Sequence, residues 1–355
     1  MKKLTKLEGL RGFCAVYVII YHTYSYYRPL VIGGVDLTFL TKFGEAALIS
    51  FFVLSGIVIA FTYEQSKDQS FKLYFCKRFF RIYIPLIFVY ILNYIVFYFK
   101  YDTVSLPLSD VVGNLLMLQD IPHEGVHTVV PPLMMNDPLW SLSYEWWFYM
   151  LYFFIMKYFR KNSTVVAIGC FMAGAIAHII YPNTFTRILI LMSIWWVGVV
   201  IARLYIAGEK ISFKPMKLPL FGIAFCMASI GLNMFLNTKG ITAIYPVYDL
   251  KFFTNTVLVL TIAFIWYKIK WIGYDKIFNL FIPFSGITYV FYELHWFMIC
   301  WATYLENVIH NHYIRYIAYI IITVFCAYII EKQIYPRLNK FFMRKLFPEK
   351  YQLRN

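Results

Sequence analysis

Arg11 and His22 are the first residues along the chain that read as chemistry rather than as packing. Both lie in LEGLRGFCAVYVIIYHTYSYY, residues 7–27, a stretch apolar enough to enter a bilayer. A charged or titratable group at membrane depth costs roughly 2.5–3.5 kcal/mol on insertion scales, so its presence there asks for a function. Ten residues separate the two. Eleven helical steps make about three full turns, so both side chains share one face, roughly 16 Å apart along the axis. An imidazole at that depth can serve as a base, and a guanidinium near the membrane surface can hold an anion or stay paired with Glu8. At that separation the two cannot both contact one reacting carbon.

Other residues extend this constellation. Arg78 and Arg81, in KRFFRIYIPL, are three apart, share a helix face and can grip phosphate bidentately. The plainer alternative is positive charge anchoring a cytoplasmic helix end. Glu145 lies in WSLSYEWWFY, which opens at Trp140 and includes Ser143. A carboxylate there can fix a histidine's tautomer and raise its basicity; the alternative is a place in an interfacial aromatic belt. Glu293 and His295 lie in ITYVFYELHWF, where a histidine alone reads as packing. Ser55-Gly56, in FFVLSGIVIA, reads as a small pair that lets helices approach. His123 to His127 spells HExxH, but Pro122, Gly125 and Pro131-Pro132 deny it the helix a zinc peptidase needs. No metal is expected.

The elements that must position these groups are membrane helices. Of 355 residues, 61% are hydrophobic and only 14% charged, against about 25% charged in a soluble domain. The net charge of +15 would suggest nucleic acid in a soluble protein. Here the basic residues stand at the ends of apolar runs, which points instead to positive-inside topology and anionic lipid. No nucleic acid is expected. The six cysteines show no framework or metal spacing and read as packing residues.

Spans are expected at about 7–27, 44–63, 82–99, 140–157, 164–181, 186–206, 218–236, 252–267, 277–304 and 313–330. Basic connections fall at every second boundary, so the expectation is an all-α polytopic protein of about ten spans with both termini cytoplasmic. The longest external loop, 100–138, carries Asp102, Asp110, Asp120, Glu124 and Asp137 against one lysine. The chain reads as a single domain over 1–355, with a core of 7–336 and a basic cytoplasmic tail, 337–355.

In these residues the chain resembles the membrane acyltransferase-3 family, integral-membrane enzymes that O-acylate envelope glycans. LEGLRGFCAVYVIIYH, FFVLSGIVIA, KRFFRIYIP, PLWSLSYEWWFY, FSGITYVFYELHWF and the late EKQIYP carry the likeness, in the family's order. Two departures stand out: Glu293 occupies a position usually apolar, and Glu331 and Pro336 are further apart than usual. The resemblance implies an acyl-coenzyme A donor, acetyl-CoA by default, reached from the cytoplasm, and a saccharide acceptor. It implies His22 and Arg11 as the essential pair, and Arg78 and Arg81, with Arg11, for the coenzyme. Glu145 joins His22 as a catalytic candidate, and Trp140, Ser143 and His295 are candidates for the acceptor subsite. Some family members carry a fused hydrolase-like domain; this chain stops at Asn355, so transfer is expected within the membrane domain. The bacterial inner membrane, in lipopolysaccharide or capsule modification, is the expected setting.

The chemistry then expected is removal of a hydroxyl proton by His22, with a covalent acyl-histidine as the alternative. A proton-coupled transporter or flippase is the rival class, with the buried His and Glu residues as a relay. It finds no inverted repeat and no paired broken helices in the sequence.

Overall fold

A computed structural model describes residues 5–26, 31–32, 34–122, 126–236 and 246–348. Among these the regular structure is helical apart from a two-residue antiparallel ladder, β1 (Val31–Ile32) with β2 (Val35–Asp36), and two isolated bridges, Gln119 with Val130 and His127 with Asn183. The helices run α1 (Thr5–Tyr26), α2 (Gly44–Glu64), α3 (Phe71–Tyr101), α4 (Leu108–Leu115), α5 (Trp140–Phe159) and α6 (Ser163–Ile180). They continue as α7 (Thr184–Ala207), α8 (Phe213–Leu236), α9 (Val247–Lys268), α10 (Tyr274–Phe278), α11 (Thr288–His295), α12 (His312–Tyr328) and α13 (Tyr335–Leu346). Two π-turns interrupt the late helices, Trp296–Cys300 after α11 and Ile329–Ile334 after α12.

Among the described residues, seven helical stretches are long and apolar enough to cross a membrane, or eight if a bent pair, Tyr274–Gly286 and Thr288–Cys300 at 79°, is one span. Ten were expected. The difference has two sources. Helices α5 and α6 run on through Arg160–Asn162 as one 44-residue stretch, Asp137–Ile180, so two expected spans count once. Helix α1 is long enough at 22 residues, but Arg11, His22 and its tyrosines keep it out of the apolar class. Among the described helices of 17 residues or more, the one that carries Arg11 and His22 is thus the least apolar.

Helix α3 also departs from expectation. The span expected at 82–99 begins at Phe71, because the Ser70 hydroxyl accepts from the Leu73 amide at 3.4 Å and caps the helix eleven residues earlier. Arg78 and Arg81 are therefore inside a helix rather than at its mouth. At the expected hairpin of Pro182-Asn183, Asn183 caps α7 through a reciprocal bond with Thr186. The expected outer turn after α1 holds the β1–β2 ladder, and Tyr17 donates its hydroxyl to the Leu40 carbonyl.

The chain divides into two compact units of interleaved sequence: 1–42, 70–106 and 276–355 in one, 43–69 and 107–275 in the other. The first unit is built on Ile19, Val89, Val290, Leu294, Phe297, Tyr319 and Ile330, contributed by α1, α3, α11, α12 and the turns after them. Within it α1 lies almost backbone to backbone on residues 278–281. A Cβ on Gly9 would stand 2.6 Å from the Phe278 carbonyl oxygen, and one on Gly12 would stand 2.1 Å from that of Phe281. The second unit is centred on α2 and α7, which meet through Gly56 and Gly198: Cβ atoms there would lie 2.2 Å from the Trp195 oxygen and 2.1 Å from the Val53 oxygen. The expected small-residue approach at Gly56 is thus present.

Candidate active site

In the first unit α1 and α11 bring two histidines together. His22 Nδ1 lies 2.8 Å from His295 Nε2, with ring centroids 5.0 Å apart and planes within 16°. The Trp296 and His22 rings form a T-shaped pair with centroids 5.1 Å apart at 76°. Near them, Tyr316 on α12 donates its hydroxyl to Thr23 Oγ1 at 2.7 Å, which fixes the same turn of α1 from another side.

The hydrogen bonds set the proton order. His295 Nδ1 bonds the carbonyl of Tyr292 one turn earlier. A carbonyl only accepts, so His295 Nδ1 carries the proton and its Nε2 is the acceptor. His22 must then donate from Nδ1, which puts the lone pair of a neutral His22 on Nε2. The arrangement follows the logic of a base oriented by a second group, with an imidazole in the orienter's place. The π-turn begins at the residue after His295, and such turns concentrate at functional positions.

Arg11 stands on α1 between Gly9 and Gly12, half-buried on the turn that meets residues 278–281. Arg78 lies over the Tyr74 ring at 5.6 Å. Arg81 donates from Nη2 to Glu331 Oε1 at 2.6 Å and is flanked by the Tyr289 ring at 4.7 Å and the Tyr335 ring at 5.0 Å. Glu331, at the second π-turn, is thus the counter-ion of Arg81. The EKQIYP segment was the signal for it.

In the second unit Glu145 accepts from the hydroxyls of Ser55 and Tyr149, both on Oε1. Trp195 Nε1 donates to Ser55 Oγ at 3.1 Å. In the first unit His22 bonds His295, and in the second Glu145 bonds Ser55 and Tyr149. Ser55, read from sequence as a packing residue, is also a ligand of the acid. Trp140 and Ser143 are buried. Ser143 Oγ is 2.7 Å from the Gln119 carbonyl and 2.8 Å from that of Trp140. Of the HExxH stretch, residues 123–125 lie outside the described residues. His127 stacks on Tyr181 at 4.3 Å and bonds the Pro182 carbonyl through its amide at 3.0 Å.

The second unit also holds a buried ionic cluster that sequence reasoning missed. Arg187 Nη1 donates to both oxygens of Asp120 at 2.9 Å, and its Nη2 lies 3.1 Å from Asp249 Oδ1. Tyr144 donates to Asp120 Oδ2 at 2.7 Å, and His178 Nε2 is 3.5 Å from Asp249 Oδ2. The cluster ties the loop before α5 to α5, α6, α7 and the first turn of α9. Arg187 sits in TFTRILILMSIWW, so the rule that singled out Arg11 would have found it too.

This helical, apolar architecture, with stretches long enough to cross a bilayer, is that of a multi-pass membrane protein. Residues 4–332 match the model of a family described as an acyltransferase domain, and the chain belongs to that family. The acyltransferase MdmB of Streptomyces mycarofaciens is 33% identical over 165 residues, 45% of this chain and 41% of that protein. The match therefore spans less than half the length of that relative. No solved structure matches the chain.

Proposed function

We propose that the protein is an acyl-coenzyme A-dependent O-acyltransferase, with acetyl as the acyl group and a hydroxyl of a cell-envelope saccharide as acceptor. The observation that carries this reading is the His22–His295 bond, 2.8 Å long, with His295 in turn on the Tyr292 carbonyl. His22 Nε2 takes the proton of the acceptor hydroxyl as its oxygen attacks the thioester carbonyl carbon. The carbon–sulfur bond breaks and the departing thiolate takes that proton, leaving the ester and free coenzyme A. While His22 holds the proton, its Nδ1–H donates more strongly to His295, which stabilises the imidazolium.

Arg11, Arg78 and Arg81 are assigned to the donor's phosphates and pantetheine end, with Arg81 already shared by Glu331. Glu145 is assigned to catalysis, and Trp140 and Ser143 to acceptor binding. His295 acts through His22 rather than as part of the acceptor subsite. The setting is the bacterial cytoplasmic membrane, with about ten passes, both termini inside, and lipopolysaccharide or capsule as the modified glycan. The purified protein, given acetyl-CoA and envelope glycan, should release free thiol and add one acetyl mass to the glycan. Thiol release without a glycan mass shift would reject the acceptor; neither signal would reject the enzyme.

A further inference from the structure

Helix α13, YPRLNKFFMRKL, touches the site only through Tyr335, whose ring flanks Arg81. It carries Arg337, Lys340, Arg344 and Lys345 and no acid. At 100° per residue Arg337, Lys340 and Arg344 fall within about 60° of one another, opposite Tyr335 and Phe342. That opposite side is taken by α3. Phe342 stacks on Phe80 at 5.2 Å, and Tyr335, Leu338 and Met343 join Leu73, Phe80 and Ile84 in one cluster. The three cations face outward and are exposed, and Phe341 beside them is 60% exposed.

Length decides what that stripe meets. The helical stretch His312–Leu346 has 35 residues. At 1.5 Å per residue it is about 52 Å long, against a hydrocarbon core of about 30 Å. Phe71–Tyr101, with 31 residues, also exceeds the core. The two surpluses coincide, because the start of α3 packs on α13. Both are basic: Lys72 and Lys77 are exposed on α3 beside the four cations of α13. An amphipathic, basic surplus with an exposed phenylalanine among its charges suits a phosphate headgroup layer.

We propose that the stripe Arg337–Lys340–Arg344 binds the phosphate headgroups of anionic phospholipid. It thereby holds α13 in the headgroup layer, together with the turns of α3 that carry Arg78 and Arg81. This inference does not rest on the acyl-transfer reading.

The test is thermal unfolding of the full-length protein in neutral detergent, titrated with phosphatidylglycerol, phosphatidylcholine, inorganic phosphate or coenzyme A. Phosphatidylglycerol should raise the Tm of the wild type, while phosphatidylcholine and inorganic phosphate should not. The variant R337Q/K340Q/R344Q should keep the wild-type Tm without lipid, since all three side chains are exposed. Its apparent affinity for phosphatidylglycerol should fall about fivefold per cation, roughly a hundredfold in all. Any shift given by coenzyme A should survive in the variant. An unchanged phosphatidylglycerol response would overturn the proposal. So would an equal response to phosphatidylcholine or phosphate, a variant already destabilised without lipid, or loss of the coenzyme A shift alone.

Discussion

Arg81 and Glu331, 250 positions apart, meet at 2.6 Å and join the middle of α3 to the π-turn after α12. The carboxylate is 7% exposed and the guanidinium 32%, so the pair is neither fully wet nor fully dry. Removing one partner of a dry pair costs roughly 3–5 kcal/mol and of a wet pair under about 1. Glu331→Gln should therefore cost about 1–3 kcal/mol. The double exchange Arg81→Glu with Glu331→Arg should recover part of it. Thermal unfolding of the three variants checks this; a Glu331→Gln protein that melts with the wild type would show that the pair is idle.

The histidine pair gives graded losses. His22→Ala should reduce acyl transfer by a factor on the order of 10³, the loss expected on removing the general base proposed above. His295→Ala should cost on the order of 10² and leave donor binding intact, because it acts on the tautomer of His22. Thiol release from acyl-CoA, measured beside donor binding, separates the two effects. Equal losses in both variants with donor binding abolished would point to collapse of α1 against α11 instead.

The Arg187 cluster should matter for folding. Arg187→Ala leaves two buried carboxylates, Asp120 and Asp249, without their guanidinium. The expected loss is about 3–5 kcal/mol, larger than that of any exposed lysine. A double-mutant cycle of Arg187→Met with Asp120→Asn should show strong coupling. Additive losses would mean that the two are not acting as a pair.

Gly12 should tolerate nothing larger. Its Cβ would stand 2.1 Å from the Phe281 carbonyl oxygen, a backbone atom that cannot swing away. Gly12→Ala should cost at least about 1–3 kcal/mol and move Arg11 and His22 with α1. Gly169→Ala, with nothing within 4 Å, is the matching control and should be neutral or slightly stabilising through helix propensity. Equal behaviour of the two variants in stability and turnover would contradict the close approach.

The sequence made much of this legible. Long apolar runs cut by basic residues give the helices and their order, and a polar residue in such a run marks the site, as at His22 and Glu145. Partners were harder. His22 and His295 are 273 positions apart, and no local spacing pairs them. Glu145 accepts from Ser55, 90 positions away, a residue whose small size argues first for helix contact, and from Tyr149 one turn along its own helix. Asp120 looked like one acid among several in a loop; only the fold sets Arg187 against it. The span count suffered from the same physics. The polar residues that make α1 interesting also lower its apolarity, and Ser70 extends α3 into what read as a loop.

The π-turn at Ile329–Ile334 bears on how this chain is aligned with its relatives. Such a turn holds one residue more than the α-helical turn it replaces. It lies where Glu331 and Pro336 stand further apart than the family resemblance leads one to expect. An inserted residue absorbed as a local bulge would account for that spacing and leave the regular helix on either side intact. Gaps of a single residue are therefore expected at this point and after His295, and a numbering carried across either one without a gap would name the wrong side chain.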